Sequence, residues 1–412
     1  METSQKIIRT YLTLQFGNTL AASLIWGINT LFLLSAGLSI FEAFLANAFY
    51  TLGMVIFEIP TGIVADSWGR RTSYLLGTVT LSTSTVLYYF LWQAHSPFWM
   101  WAIASMLLGL GYTFFSGAVE AWLIDALHHV KYKGRVEAVF GKAQVVSGIA
   151  MLIGTLGGGL IAQFTTLGVP YLVRGGILLV LFVVAWVIMR DIGFVPERTE
   201  KAFKAMRTLF TASVDNGLRV APVRWLMLSA VIISSVGFYA FYALQPYLLQ
   251  LYGDSTAYWV AGLAATLISL AQISGGLLAG RIASLFAKRT TALALMTAAS
   301  TVLMVLLYFS HTFLMALSVV FVWGLVFAAV MPIRQSYLNG MIPSKQRATV
   351  LSFDSVVSNL GGMVIQPGLA KIADISSYGA SFLVGGIFQL LALPMLLRSR
   401  SFGHKADETH TV

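Results

Sequence analysis

Five ionisable side chains stand inside otherwise apolar stretches, where proton or ion chemistry is a common reason to keep a charge. They are Glu58, Glu120, Lys142, Arg334 and Asp354. Each costs at least about 2.5 kcal/mol in a hydrocarbon environment, so such groups pair or face water. We expect Glu120 to pair with Lys142 and Arg334 with Asp354, or Glu120 with Arg334 instead. Glu58, Glu120 and Asp354 are candidate proton carriers, because burial changes proton affinity.

The segments that hold these charges are too apolar for a soluble domain. Of the 412 residues, 58% are hydrophobic and 10% charged, with a mean hydropathy of +0.80, against about 45–50% apolar residues in soluble domains. Twelve stretches reach the roughly 20 apolar residues that a transmembrane helix needs. They are continuous and lack the alternation of a β-barrel. We predict an all-α polytopic membrane protein with twelve transmembrane helices in a lipid bilayer.

The twelve predicted spans fall into two halves. Residues 1–190 form a first six-helix bundle, 191–223 a cytoplasmic amphipathic linker, 224–397 a second six-helix bundle, and 398–412 a cytoplasmic tail. The linker mixes charged and apolar positions, which is typical of a segment lying along the membrane, and we expect the polar tail to be disordered. Arg135 and Lys142 have the same spacing as Arg347 and Asp354. This matched spacing in the two halves indicates an internal repeat.

Basic residues are sorted between the predicted loops. All but four of the 26 Lys and Arg residues lie at the termini or in loops on one side; the exceptions are Lys142, Arg174, Arg334 and Lys371. This positive-inside distribution predicts a multi-pass protein of the cell membrane, plasma or prokaryotic inner, with both termini cytoplasmic. It also accounts for the net charge of +10, so nucleic acid is not an expected partner.

The sequence predicts neither a catalytic centre nor a cofactor. It has no Gly-rich loop with the Lys-Ser/Thr pair of ATP-driven pumps, and no cysteine for disulfide or thiol chemistry. His128 and His129 adjoin one another, without the spacing of metal ligands. We therefore expect a protein that is not an enzyme and that uses no cofactor and no metal. We also expect it to be a monomer and to bind a small-molecule substrate.

A motif between the second and third spans carries a family resemblance. Gly62 is followed after three residues by Asp66, and after two more by Gly69, Arg70 and Arg71. We interpret residues 62–71 as a tight turn. Together with twelve spans in two halves, the motif resembles the loop signature of the major facilitator superfamily, whose members are secondary transporters. The resemblance implies two pseudo-symmetric six-helix bundles around a central cavity.

The resemblance also implies a cytoplasmic latch. In it, Asp66 caps the start of span 11 and the loop arginines reach an acid at the end of span 4, which is Asp125 here. A carboxylate is favourable at a helix N-terminus, where backbone N–H groups and the helix dipole attract negative charge. The latch residues are Gly62, Asp66, Gly69, Arg70, Arg71 and Asp125.

A second motif, in span 5, resembles that of proton-coupled drug antiporters only in part. Ala150 and Thr155 replace the first Gly and the Pro of the family pattern, and span 4 lacks the Arg of many such antiporters. Small residues let helices approach closely, and the family arrangement places spans 5 and 8 together. The expected helix-packing residues are Ala150, Gly154, Gly158, Gly159, Gly276 and Gly280.

Polar and aromatic residues within the spans are candidate walls of a substrate cavity. They are Asn18, Asn29, Asn47, Gln144, Tyr239, Tyr242, Gln245, Gln272, Asn359 and Gln366. The preferred interpretation is proton-coupled efflux of small amphipathic or drug-like organic solutes by alternating access. One alternative is uptake or exchange of a polar or anionic metabolite held by Arg334 or Lys142. Another is a non-transporting membrane sensor on the same fold.

Overall fold

The computed structural model describes residues 3–196, 217–342 and 347–409, except for the side chains at 137, 347–349 and 352. Regular structure in these ranges is helical, and Lys288 and Glu408 form an isolated β-bridge. Residues 197–216 of the expected linker lie outside the described residues, so its amphipathic character stays a prediction.

The predicted twelve-helix membrane fold is confirmed. Span 1 comprises Ser4–Trp26 and Asn29–Ser35, span 2 Ile40–Trp68, span 3 Arg70–Gln93, span 4 Phe98–Thr113 and Ala118–His129, span 5 Val136–Phe164, span 6 Val169–Ile188, span 7 Ala221–Tyr252, span 8 Tyr258–Ser284, span 9 Arg289–Tyr308, span 10 Phe313–Met341, span 11 Arg347–Ile375, and span 12 Tyr378–Gln389 and Ala392–Arg400. Within the described chain, ten of these are long and apolar enough to cross a bilayer, and bent span 1 makes an eleventh. Span 11 is also long, at 29 residues, but more polar.

The chain forms two compact units, and each takes in a short segment from the other half of the sequence. Unit 1 comprises residues 1–38, 49–206 and 257–266, and unit 2 comprises residues 39–48, 207–256 and 267–412. Span 2 therefore contributes its first turns to unit 2, and span 8 contributes its first turns to unit 1. The predicted halves are contiguous, at residues 1–190 and 224–397, whereas these units exchange short segments.

Two spans of unit 1 are interrupted without a proline at the break. Span 1 bends by 48° between Trp26 and Asn29. Span 4 loses its helical course over residues 114–117 and resumes at Ala118, after Gly117 with φ of 70°. That left-handed conformation is readily adopted by glycine. The second half of span 4 therefore begins at Ala118, and Glu120 lies in the first turn of this new helix.

The turn between spans 2 and 3 is shorter than the sequence suggested. We expected a tight turn over residues 62–71, but span 2 stays helical through Trp68 and span 3 begins at Arg70. The apolar residues 63–65 continue the helix, and Gly69 alone reverses the chain. Its φ of 105° is unfavourable for other residues, and a Cβ there would lie 2.3 Å from Oδ2 of Asp191.

In each unit, an aspartate that follows the last span accepts a hydrogen bond from the start of another helix. In unit 1, Asp191 follows span 6 and accepts a hydrogen bond of 2.8 Å from the backbone N–H of Arg71, at the start of span 3. In unit 2, Asp407 follows span 12 and accepts one of 2.7 Å from the backbone N–H of Thr290, at the start of span 9. These matching positions support the internal repeat. The expected disorder of the tail is wrong up to Thr409, because Asp407 is buried at its helix-capping position.

Replacing Asp407 with alanine should lower the free energy of unfolding by about 1–2 kcal/mol, the usual cost of losing a helix cap. The Thr290 hydroxyl would also lose its 2.8 Å hydrogen bond to Asp407. Denaturant unfolding of the purified protein in detergent measures the change. Lys405→Ala is the matched control, since that side chain is exposed; an equal loss in both variants would contradict a capping role.

Stability should depend on pH through Asp191. Burial raises the pKa of its carboxyl, and the backbone N–H and charge of Arg71 offset this only in part. The native state then binds the proton more tightly than the unfolded state. The contribution is fully present below the unfolded pKa of about 3.9 and is lost as pH rises through the raised native pKa.

The Asp191→Asn variant should therefore lack this fall in stability with rising pH when thermal unfolding is followed across that window. Asp254→Asn is the opposite case, because hydrogen bonds from Thr256 lower the pKa of the exposed Asp254. Its removal should take away a contribution that rises with pH. An unchanged pH profile in Asp191→Asn would rule out the proposed titration.

Candidate functional site

Most residues of the loop signature meet at one end of unit 1. Arg70 Nη1 lies 2.6 Å from Asp66 Oδ1, and Arg70 Nε lies 3.8 Å from Asp125 Oδ2. Both pairs are partly exposed, so each adds at most about 1 kcal/mol. Arg71 instead donates to the backbone oxygen of Trp186 at 2.6 Å. One arginine thus reaches Asp125, whereas capping of span 11 by Asp66 stays a prediction.

Arg334 and Asp354 form a buried ion pair in unit 2. Arg334 Nη1 donates to Asp354 Oδ2 at 2.8 Å, and Nη2 donates to Oδ1. Both residues are only 6% exposed. Two parallel bonds of this kind are the strongest geometry for a guanidinium and a carboxylate. Neither group is available to a solute while the pair is intact.

Glu120 and Lys142 do not form the pair that we expected. Glu120 Oε1 accepts a hydrogen bond of 3.1 Å from Gln15 Nε2, and the Lys142 side chain is exposed. Glu58 Oε1 accepts a 2.9 Å hydrogen bond from Ser116 in the break of span 4. The break explains the difference, because it starts a new helix whose first turn places Glu120 against span 1.

Glycines allow span 5 to touch spans 1 and 8 within unit 1. A Cβ on Gly158 would lie 1.8 Å from the backbone oxygen of Leu24, and one on Gly159 would lie 2.7 Å from Cα of Gly262. On the same side, the Ala150 backbone oxygen accepts from Ser23 Oγ at 3.3 Å. Gly154 also meets Ser23, which a Cβ would approach to 1.9 Å.

The helix-packing prediction for Gly276 and Gly280 concerned a contact with span 5, which belongs to the other unit, and it stays a prediction. Apart from chain neighbours and the backbone of their own helix, no described atom lies within 4 Å of a Cβ built on either residue. The close contact is made by Gly275, where a Cβ would lie 2.4 Å from the backbone oxygen of Leu325. Adjacent positions on a helix face directions about 100° apart. Within unit 2, the close contact of this small-residue run is therefore made from the face that carries Gly275.

A cavity of about 450 Å³ lies inside unit 1, between the breaks of spans 1 and 4. Its walls are Gln15, Asn18, Thr19, Ala21, Ala22, Trp26, Leu81, Tyr112, Phe115, Ser116, Gly117, Val119, Glu120, Arg174 and Leu178. Trp26 directly precedes one break, and residues 115–117 belong to the other. The lining thus combines aromatic and aliphatic side chains with two opposite charges, Glu120 and Arg174.

Of the ten predicted cavity residues, Asn18 lines this cavity; its Oδ1 accepts a 3.0 Å hydrogen bond from the Tyr74 hydroxyl. The others lie elsewhere in the described chain. Tyr239, Gln245 and Gln366 are buried in unit 2, Gln144 is exposed, and Asn29, Asn47, Tyr242, Gln272 and Asn359 are partly buried. Tyr239 donates to the Ser381 hydroxyl. Span 7 therefore serves here as packing of unit 2.

Arg174 and Gln15 are two polar cavity residues that were not predicted from the sequence. Arg174 is a single charge in an apolar span, the same signal that singled out Lys142, but its place early in span 6 suggested a membrane face. Gln15 has no comparable signal. Its role depends on Glu120 approaching span 1, and the break in span 4 determines that approach.

Comparison with known proteins agrees with this architecture. The family model described as Major Facilitator Superfamily matches residues 11–262 and 256–410. No curated protein matches the chain in sequence.

Solved structures of similar fold include three transporters. For the nucleoside transporter NupG, the TM-score is 0.76 at 11% identity, over 97% of this chain and 99% of that one. The D-xylose-proton symporter gives 0.70 at 16% identity, over 95% and 96%. The human organic anion transporter MFSD10 gives 0.64 at 14% identity, over 96% and 100%. At these identities the similarity shows the fold alone.

Proposed function

Because the chain belongs to the major facilitator superfamily, we propose that it is a secondary active transporter that works by alternating access. The preferred function is proton-coupled efflux of small amphipathic or drug-like organic solutes. The observation that carries this choice is the cavity of unit 1, whose apolar walls surround a carboxylate. Its volume is within the range of about 300–1,000 Å³ for small-molecule sites.

Glu120 is the proposed link between proton and solute. Its carboxylate lines the cavity and is oriented by Gln15 at 3.1 Å, so a proton and a positively charged group of a solute compete for it. Binding of either disfavours binding of the other, and this reciprocity is the thermodynamic basis of exchange. Asp354 is less suited to the role, because its two oxygens are held by Arg334.

The topology and the latch belong to the same proposal. The termini are placed in the cytoplasm of a cell whose plasma or inner membrane holds the protein as a monomer. The latch at Asp66, Arg70 and Asp125 then lies on the cytoplasmic side. Two of its contacts are present within unit 1, which supports the proposal.

A second candidate is uptake or exchange of a polar or anionic metabolite. The observation in its favour is Arg174, which supplies positive charge to the cavity. Arg334 is an unsuitable anion site because Asp354 holds both of its terminal nitrogens. Lys142 does not line this cavity. In this candidate function, Arg174 is therefore the proposed anion-binding residue, in place of Arg334 and Lys142.

Flux into liposomes distinguishes the candidates. Purified protein is reconstituted, and movement of ethidium, an amphipathic cation, and benzoate, an anion, is followed with and without a pH gradient. If efflux is coupled to protons, the pH gradient should accelerate ethidium movement. The Glu120→Gln variant should move ethidium at a rate that no longer depends on the gradient. The Asp254→Asn variant should behave like the unmodified protein. Benzoate flux that exceeds the passive flux into protein-free liposomes, without ethidium flux, supports the second candidate. No flux of either probe would contradict both and favour a membrane sensor.

A further inference from the structure

The start of span 2 is held by the end of span 11. Asp374, the last residue but one of span 11, accepts a hydrogen bond of 2.9 Å at each carboxylate oxygen, one from the backbone N–H of Ile40 and one from that of Phe41. These are the first two residues of span 2. Backbone N–H groups at a helix start have no partner within the helix, and the helix dipole also attracts a carboxylate there. The contact is therefore a charged helix cap supplied by another span.

Spans 5 and 8 repeat this contact with a neutral side chain. Gln163 is the last residue but one of span 5, and its Oε1 accepts a hydrogen bond of 3.3 Å from the backbone N–H of Trp259, the second residue of span 8. Counted within each half, span 5 corresponds to span 11 and span 8 to span 2. The two caps thus occupy matching positions of the internal repeat. Asp374 makes the stronger one, because it is charged and bonds twice.

Each cap lies within one unit but holds a helix whose remainder belongs to the other unit. Residues 39–48 of span 2 belong to unit 2 and the rest of the span to unit 1, whereas residues 257–266 of span 8 belong to unit 1 and the rest to unit 2. Both spans are continuous helices. Relative movement of the units at this end must therefore break the two caps or bend the helices.

The first turns of span 2 are also packed by their side chains. Phe44 is fully buried, and its ring centroid lies 4.9 Å from that of Tyr239, which belongs to span 7 in unit 2. Ala43 and Ala46 are fully buried as well. If segment 39–48 leaves unit 2, these side chains lose their contacts there. A reagent that reaches Ala43 or Ala46 would therefore report that the segment has been released.

We propose that the two caps form the extracytoplasmic gate of the transporter, with Asp374 as its main residue. The gate is closed in this structure, and it opens when the starts of spans 2 and 8 leave the ends of spans 11 and 5. The proposal rests on the transport function and topology proposed above, since alternating access opens each side in turn and cytoplasmic termini place these helix starts outside. Loss of Asp374 then favours opening to the exterior.

Single cysteines report this opening, because the chain itself has none. Cells that express the Ala43→Cys variant are treated from outside with a membrane-impermeant maleimide, and the label is measured on the purified protein. The labelling rate follows the fraction of molecules whose gate is open. Adding Asp374→Ala should raise this rate about tenfold, the shift that loss of a helix cap allows. Ala46→Cys is a second reporter in the same segment.

Further variants separate the caps from a general loss of packing. Asp374→Asn keeps one acceptor oxygen but loses the charge, so its labelling rate should lie between those of the unsubstituted reporter and Asp374→Ala. Gln163→Glu adds a charge at the start of span 8 and should lower the rate, whereas Gln163→Ala should raise it less than Asp374→Ala does. Asp407→Ala is the matched control. It also removes a helix cap within unit 2, from the start of span 9, and should leave labelling unchanged.

The proposal is overturned if Asp374→Ala leaves the labelling of both cysteines unchanged, if Asp407→Ala raises it equally, or if Gln163→Glu fails to lower it. Absence of labelling from outside in every variant would also overturn it. These outcomes are separate from failure of the transport function. The expected labelling without ethidium or benzoate flux in liposomes would retain the gate and reject transport. Flux with labelling that does not respond to Asp374 would do the reverse.

Discussion

Replacing Asp354 with asparagine should lower the free energy of unfolding by about 3–5 kcal/mol. The reason is the burial of its partner: Arg334 is 6% exposed, and both of its terminal nitrogens bond to Asp354. Asparagine leaves that guanidinium buried without a counter-charge. Thermal and denaturant unfolding in detergent would show the loss.

The double variant Arg334→Gln with Asp354→Asn separates this effect from a general loss of packing. Two neutral amides can hydrogen-bond to each other, so the double variant should be more stable than Asp354→Asn alone. With Arg334→Gln measured as well, the coupling energy of the pair is the destabilisation of the double variant minus the sum of the destabilisations of the two single variants. Asp254→Asn controls for removal of an acid at an exposed position. If Asp354→Asn costs no more than this control, the buried pair contributes nothing to stability.

Replacing Gly158 with alanine should have the other large effect, a loss of about 1–3 kcal/mol, the cost of overpacking a well-packed contact. The added Cβ would lie 1.8 Å from the backbone oxygen of Leu24. Backbone cannot move aside as a flexible side chain can, so spans 1 and 5 would have to separate. Unfolding measurements would detect this, and the flux assay would show whether transport tolerates the separation.

Gly157→Ala is the matched control, one residue away on the same helix. The nearest atom to a Cβ there is Leu24 Cδ2 at 4.0 Å, an ordinary contact distance. Alanine is favoured over glycine inside a helix by roughly 0.5–1 kcal/mol, so this variant should be neutral or slightly more stable. Equal behaviour of the two variants would show that the spans do not depend on a glycine at 158.

The fold was accessible from sequence because membrane helices obey a simple constraint. Backbone groups in a bilayer must bond within the segment, so continuous apolar stretches predict helices and basic loops predict topology. The contact of Arg70 with Asp125 followed from the family resemblance. The pairing of Arg334 with Asp354 was one of the alternatives that the cost of buried charge favoured.

The helix breaks were not accessible, and most errors about the site follow from them. Residues 27–28 and 114–117 contain no proline, so hydropathy presents each span as continuous. A straight span 4 would direct Glu120 differently, and the prediction of Lys142 as its partner assumed that geometry. The Gly117 position was a weak signal, since a lone glycine in a span is common.

The helix-capping aspartates show a second limit of sequence reasoning. Asp374 accepts hydrogen bonds of 2.9 Å from the backbone N–H groups of Ile40 and Phe41, more than 330 positions earlier. Asp191 and Asp407 act similarly over shorter separations. No sequence motif marks any of these three aspartates as a helix cap. Only the three-dimensional arrangement brings such a carboxylate to a helix start.

The exchange of segments between the units has a consequence for the order of synthesis. Residues 257–266 belong to unit 1, so this unit is not complete when its sixth span has been made. Its last contacts can form only after residues 257–266 of span 8 have been synthesised. Residues 39–48 belong to unit 2 and are made long before the rest of that unit. Neither unit is therefore completed by its own contiguous half of the chain, and we expect their folding during translation to overlap in time.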